Sequence, residues 1–243
     1  MRRSERQLNF QTLCPPVQLT SLATPSLFRN FDCVVVGAGP VGLVLANELA
    51  RFGVSYRIVE KIPERSTWSK ALMITSRTMH ILEDIGLHEE ILSRGTVAEG
   101  LDFHFNHRPI ASFTMNSNTD PTIRYPFPFV LPQPDVEEAF EHVLNQRGGK
   151  IEREREVVKV DPLKDYVEVT LKTGEVIKAR YIVGCDGAHS FIRHSQPDWK
   201  FEGRPVNVLW AQCDGTITDE RVHTARAAGF VGTTGSVSIV HKR

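Results

Sequence analysis

Asp32-Cys33-Val34-Val35-Val36-Gly37-Ala38-Gly39-Pro40-Val41-Gly42 is a short β-branched apolar run, a glycine turn, and then the opening of a helix-period segment that continues to about Phe52. Strand, turn and helix in that order make the GxGxxG spacing meaningful. Gly37 permits a tight turn. Gly39 lets a dinucleotide pyrophosphate approach the backbone with no Cβ in the way, and Gly42 allows the helix to pack closely on the strand. Pro40 in the first helical turn forfeits no hydrogen bond. The free N–H groups around Val41 and Gly42, with the helix dipole behind them, then form an anion site that needs no cationic side chain. Gly37, Gly39, Pro40, Val41 and Gly42 are therefore candidate cofactor-binding residues.

Working outward, Val54 to Glu60 has the composition of a second strand, closed by Glu60 about 20 residues beyond the glycine turn. A carboxylate there accepts hydrogen bonds from ribose hydroxyls and repels a 2′-phosphate, which favours FAD or NAD over NADP at this site. Thr75 to about Ser93 is expected to be one helix, with Met79, Leu82, Ile85 and Leu87 on a shared face. The resulting βαβα order calls for a parallel sheet. Alternation from Leu101 through Phe105, a turn at Asn106 to Pro109, and renewed alternation to Met115 predict a hairpin. After a proline-rich connection a helix is expected from about Asp135 to Gln146, stopped by Gly148-Gly149. Three strands follow at Glu154–Val160, Tyr166–Leu171 and Val176–Val183, and two or three more between Val206 and Ile239. The alternating charges of Glu152 to Glu156 suit a solvated edge strand and carry no functional assignment.

The chain has 243 residues, with 29 basic and 29 acidic side chains, so its net charge near neutrality is zero. No field draws it toward nucleic acid or anionic lipid, and no run of about 18 apolar residues provides a membrane span. Cys14, Cys33, Cys185 and Cys213 are widely spaced and contain no CxxC pair, as expected of reduced thiols in a cytoplasmic protein. Residues 1–30, rich in arginine and poor in acids, are expected to be a disordered leader; a mitochondrial presequence is the alternative. The pairs His104 with His107 and His189 with His194 stand without an HExxH motif or a Cys/His set of zinc spacing, so no metal is assigned. There is no GxSxG elbow and no lysine of the P-loop kind after the glycines.

The stretch Ala179-Arg180-Tyr181-Ile182-Val183-Gly184-Cys185-Asp186-Gly187-Ala188-His189-Ser190, followed by Arg193, completes an ordered set with the glycine turn and Glu60. Together the three resemble the group A flavoprotein monooxygenases, the aromatic-ring hydroxylases of the p-hydroxybenzoate hydroxylase and phenol hydroxylase type. The resemblance covers residues 30 to 240, the front half of a typical member. It implies FAD as cofactor, NAD(P)H as transient electron donor, and O2 with a small aromatic or polyketide-like substrate as the reactants. It adds Asp186 and Gly187 to the cofactor-binding set. Within Ser69-Lys70-Ala71-Leu72 it places Lys70 at the FAD phosphates, and within Leu131-Pro132-Gln133-Pro134 it places Gln133 against the flavin side. No catalytic residue is assigned, since the position that carries an aspartate in phenol hydroxylases is Leu72, which exchanges no proton.

The family's later Gly-Asp motif is absent, and this sequence contains no Gly-Asp pair. The expectation is thus an α/β protein, a doubly wound, Rossmann-like FAD-binding domain (31–100 and 116–203) interrupted by a β-rich substrate region (101–115 and 204–243) and truncated at its C-terminus. Such a chain would need a C-terminal half or a partner chain. Two alternatives stay open: a catalytically incompetent FAD- or ADP-binding fragment, and an NAD-linked dehydrogenase.

Overall fold

The computed structural model describes residues 30–67, 71–106, 108–115, 122–204, 226–233 and 237–240. Most of the leader, Cys14, Lys70, Cys213 and the stretch 205–225 lie outside the described residues. In chain order the elements begin with strand β1 (Phe31–Val36), helix α1 (Pro40–Arg51) and strand β2 (Tyr56–Val59). Next come β3 (Met73–Ile74), α2 (Ser76–Asp84), α3 (His88–Arg94), β4 (Thr96–Val97), β5 (Gly100–Phe105), β6 (Arg108–Thr114), β7 (Phe129–Val130) and α4 (Gln133–Gln146). The remainder is β8 (Ile151–Glu152), β9 (Val157–Pro162), β10 (Val167–Leu171), β11 (Val176–Gly184), α5 (Phe191–His194), β12 (Arg226–Val231) and β13 (Val237–Val240).

A six-stranded sheet in the order β8-β2-β1-β11-β10-β9 organises the molecule. β8, β2, β1 and β11 run parallel, whereas β10 pairs antiparallel with both β11 and β9. The unbroken apolar run of β1 has a direct structural reason, because both faces of the strand are covered. Cys33 and Val35 belong to the core beneath α1, α2 and α4, while Val34 and Val36 join Val59, Val169, Ile177 and Ile192 on the other face. α1 and α4 are tied by Asn47, whose Nδ2 donates to the carbonyls of Leu43 at 2.9 Å and Phe140 at 3.0 Å. Burial of that amide is affordable because its hydrogen bonds are made inside the protein.

Two expected elements differ. The single helix over 75–93 is two helices, because Gly86 takes a left-handed conformation with φ of 72°. Met79 and Leu82 are buried from α2, but Ile85 and Leu87 are buried from the break itself, and Arg147 Nη2 donates to the Ile85 carbonyl at 2.8 Å. Arg147 thus satisfies one of the carbonyls that the end of α2 leaves without a partner inside the helix. Likewise the strand expected from Glu154 to Val160 is divided: Glu152 still belongs to β8 on the edge beside β2, Glu154 turns the chain with φ of 57°, and β9 starts at Val157. The charged run is held in ion pairs, Glu152 with Arg57, Arg153 with Glu141, and Glu156 with Lys172.

A second sheet has the order β13-β12-β5-β6, and a small third sheet the order β3-β7-β4. In the second sheet the hairpin β5–β6 accepts β12 as a parallel neighbour more than a hundred residues later in the chain. Arg226 grips Asp102 across that pairing through Nε at 2.8 Å and Nη2 at 2.6 Å, and Ser112 donates to the same carboxylate at 2.6 Å. The guanidinium beside Asp102 holds its carboxyl well below the usual carboxylate range. Gly229 leaves room for the ring of Phe103, which packs edge-on to Phe113.

Candidate functional site

The glycine turn sits at the C-terminal end of β1, between β2 and β11, where connections depart to either side. Gly37 N–H donates to the Val59 carbonyl at 2.8 Å, and Cys185 N–H to the Val36 carbonyl at 2.7 Å, so three strand ends are stitched together there. The three glycines are required for different reasons. At Gly37, φ is 102° and an added Cβ would lie 2.5 Å from the Cys185 carbonyl oxygen; at Gly42 it would lie 1.9 Å from the Gly37 carbonyl oxygen. Both are closed to any side chain. At Gly39 an added Cβ meets nothing within 4 Å. Its conformation is ordinary extended backbone, so the protein itself does not demand glycine there.

That open space lies at the start of α1, whose N-terminus has no side-chain cap and whose first turn holds no acid. By contrast Thr75 caps α2 and Ser190 caps α5. Pro40 is the first helical residue, and Val41 next to it is 70% exposed. The arrangement leaves helix-terminal N–H groups, backed by the dipole, facing a surface from which side chains have been removed. It fits a diphosphate.

Glu60 stands just past β2 and folds back onto the same turn: Oε2 accepts from Ala38 N–H at 2.8 Å and Oε1 from Ile62 N–H at 3.1 Å. Each carboxylate oxygen keeps acceptor capacity beyond those bonds. From the sequence Glu60 is expected to accept from a ribose, with no sign that it also holds the glycine loop. Asp186 follows β11 and lies against the turn, its Cα 3.0 Å from a Cβ built on Gly37. Its carboxylate accepts from a backbone amide, Ile192 N–H at 3.1 Å, and from the Ser190 hydroxyl at 2.6 Å. Gly187 has φ of 79°, and Arg193 Nη2 closes the same loop onto the Ala188 carbonyl at 2.7 Å. Asp186 and Gly187 therefore fix the shape of the turn that adjoins the glycine loop.

Gln133 forms a second group with the segment before β3. It is the first residue of α4, two residues earlier than the helix expected from the sequence, and its N–H donates to the Ala71 carbonyl at 3.0 Å. Leu131 N–H likewise donates to the Leu72 carbonyl at 2.9 Å. Ala71 and Leu72 are thereby laid along the entry to α4, while Lys70 lies outside the described residues.

Glu137 was not singled out from the sequence. It is 7% exposed, and its Oε1 accepts from Gln133 Nε2 at 2.8 Å. The only available signal was the Gln-to-Glu spacing of four on a helix. Burial pushes the Glu137 carboxyl up, opposed by the Gln133 hydrogen bond and by the charges of Arg65 and Arg153. Cys33 and Cys185 are free thiols near the loop; burial chiefly, with the neighbouring Cys185 and Asp32, pushes Cys33 up to about 11, which makes it a poor nucleophile. Among the described residues no group of three or more His, Cys, Asp or Glu side chains is placed to hold a metal ion, and no helix is long and apolar enough to cross a membrane.

The family model described as "FAD binding domain" matches residues 30–231. Over 195 residues the chain is 35% identical to the rifampicin monooxygenase of Streptomyces venezuelae, covering 79% of this chain and 39% of that protein. The chain therefore spans about two fifths of that relative's length. Among solved structures, aklavinone-11 hydroxylase in a ternary complex with FAD and aklavinone superposes with a TM-score of 0.61 at 27% identity, over 69% of this chain and 35% of that one. PqsL of P. aeruginosa, in complex with 2-aminobenzoylacetate, superposes with a TM-score of 0.68 over 87% of this chain and 57% of that one, and at 21% identity the likeness is one of fold.

Proposed function

The chain belongs to the FAD binding domain family, and on that premise we propose that it is the FAD-binding portion of a monooxygenase that hydroxylates an aromatic or polyketide-like substrate with NAD(P)H and O2. The observation that carries the reading is the Gly39 opening at an uncapped helix start, with Glu60 and Asp186 on either side. Gly37 and Gly42 set the turn, and the N–H groups of Val41 and Gly42 hold the pyrophosphate behind Pro40. Glu60 accepts from the adenosine ribose with the acceptor capacity left over from the loop. Lys70 meets the phosphates as a point charge, and Gln133 meets the flavin end. Asp186 and Gly187 hold the neighbouring turn close to the cofactor without a Cβ at 187.

When bound, FAD would supply the redox chemistry of hydride acceptance from NAD(P)H and oxygen activation. The chain's own residues bind, orient and exclude water. Leu72 provides no proton acceptor, so deprotonation of a phenolic substrate is not assigned to that position. In this reading 31–100 and 116–203 are the FAD-binding domain, the first half of a doubly wound sheet, and 101–115 with 204–243 contribute to the substrate region. Two observations support that division: β5, β6, β12 and β13 share a sheet of their own, and β1 is flanked by β2 on one side and β11 on the other. The free thiols Cys33 and Cys185 suit a cytoplasmic setting.

The test is direct. The purified chain is titrated with FAD and separately with NADH, and NAD(P)H oxidation is followed with and without phenolic and polyketide substrates. FAD binding that outcompetes NADH is expected. A chain that never retains flavin refutes the assignment. The alternative is a catalytically incompetent nucleotide-binding fragment. It predicts FAD binding with uncoupled NAD(P)H oxidation that becomes coupled only when a C-terminal half from a longer relative is supplied.

A further inference from the structure

We infer that Glu137 is a positioning residue that fixes the side-chain amide of Gln133, turning its NH2 inward and its carbonyl oxygen out toward the flavin end of the cofactor. The inference rests on the reading above that Gln133 meets the cofactor. It begins from what each group can do. An ionised carboxylate only accepts hydrogen bonds, whereas a glutamine amide has one accepting and one donating end. The contact at 2.8 Å between Gln133 Nε2 and Glu137 Oε1 therefore dictates which end of the amide faces the protein.

Little other freedom is left to Gln133. It starts α4 behind Pro132, its N–H is held by the Ala71 carbonyl, and Pro134 follows it in the first helical turn. The backbone is thus fixed, and the side chain would otherwise sample several rotamers. Glu137 stands one helical turn further on and is 7% exposed, so water competes little for its oxygen. The groups facing it are also set. Arg65, from the loop after β2, and Arg153, from the turn after β8, favour its charged form, while Glu60 and burial oppose it. Those arginines are themselves anchored on α4, both of them at Glu141. A carboxylate buried at this place with its charge supported is suited to hold an amide in one orientation.

With the NH2 turned inward, Gln133 presents Oε1 as an acceptor for an O–H or N–H donor of the ligand, such as a ribityl hydroxyl or the imide N–H of the flavin ring. ADP has neither group, so the contribution of Glu137 should appear with FAD and vanish with ADP.

Isothermal titration of the full chain with FAD and with ADP tests this, using Gln133→Ala, Glu137→Leu, Glu137→Gln and the double variant Gln133→Ala/Glu137→Leu. Glu137→Leu is expected to raise the FAD Kd about three- to tenfold, the range for one lost hydrogen bond. Glu137→Gln keeps an acceptor oxygen for Gln133 and should stay within about twofold of the parent. ADP affinity should be unchanged in every variant, and Glu137→Leu should add nothing to Gln133→Ala. Glu137→Ala is a second acceptor-free variant, to be used if the leucine variant does not fold, with the same expected split. Equal losses for FAD and ADP would make Glu137 a packing residue and overturn the inference. So would a Gln133→Ala variant that binds FAD more weakly beside a Glu137→Leu variant that binds it as the parent does. If Gln133→Ala itself leaves FAD binding unchanged, the placement of Gln133 at the cofactor is what has failed, and the inference falls with it.

Discussion

Adding one methyl group at Gly39 or at Gly42 should damage two different properties, because the same atom meets different surroundings. At Gly42 the new Cβ would stand 1.9 Å from the Gly37 carbonyl oxygen and 3.3 Å from the Cys185 Cβ. The first contact is with backbone that is itself hydrogen-bonded to Val59, so relief requires α1 to lift off β1. Overpacking of this kind costs about 3 kcal/mol, which for a domain of this size is a fall in Tm of about 6–12 °C. At Gly39 the new Cβ meets nothing within 4 Å, and the backbone is already extended. The cost to the fold is then that of alanine in place of glycine before a helix, roughly 1 kcal/mol or less.

Binding should show the reverse contrast. A Cβ at Gly39 occupies the space through which the pyrophosphate reaches the helix-terminal N–H groups. Losing one hydrogen bond to a charged group costs about 1.5–3 kcal/mol, or roughly 10- to 150-fold in Kd. The assay is differential scanning calorimetry of the unliganded chain beside titration with FAD. Gly39→Ala should melt within about 4 °C of the parent and bind FAD at least tenfold more weakly. Gly42→Ala should melt far lower. A Gly39→Ala chain that binds FAD as the parent does would refute the phosphate assignment, and an undisturbed Tm in Gly42→Ala would refute the close packing of α1 on the loop.

Further outcomes follow from other residues. Glu60→Gln removes the charge that accepts from Ala38 N–H and from the ribose, and should weaken FAD by about 1.5–3 kcal/mol by titration; an unchanged Kd counts against the ribose assignment. Arg226→Ala should lower Tm at pH 7 by releasing the Asp102 carboxylate. Because Asp102 is held below its ordinary value of about 3.9, that stabilisation is present above this pH and is lost as pH falls below it, so the gap between variant and parent should narrow in melts at successively lower pH. Cys33, pushed up to about 11, has a thiolate fraction on the order of 10⁻³ at pH 8 and should resist iodoacetamide in the folded chain, becoming labelled only in denaturant, as peptide mass mapping would show.

What could be foreseen from the amino-acid sequence separates along a physical line. The β1-turn-α1 unit was legible because its requirements are local and negative: a strand buried on both faces excludes polar residues, and a carbonyl 1.9 Å from a Cβ position excludes every side chain at Gly42. Such exclusions leave a mark on composition that no partner elsewhere in the chain can erase. The division of the helix at Gly86 was less visible, since Met79, Leu82, Ile85 and Leu87 keep the spacing of one helical face, and the broken form is satisfied by Gly86 and Leu87 N–H bonds back to Glu83 and Leu82 and by the reach of Arg147 from the end of α4. The split at Glu154 is of the same kind. A non-glycine residue at φ of 57° has no reliable signature, and the strand it ends is chosen by the edge of β2.

The candidate site divides in the same way. Gly37, Gly39, Gly42 and Glu60 act through backbone geometry and a fixed spacing, whereas the orientation of Gln133 depends on a rotamer, a buried carboxylate and the charges of Arg65 and Arg153 brought from two separate loops. A spacing of four between glutamine and glutamate occurs on many solvated helices, where it contributes only a few tenths of a kcal/mol. Burial changes its meaning, because an acceptor removed from water holds its donor in one place and so hands the other end of the amide to the ligand. In the proposed reading the cofactor's phosphate end is specified by side chains that must be absent, and its flavin end by an interaction that becomes specific only once the chain has folded around it.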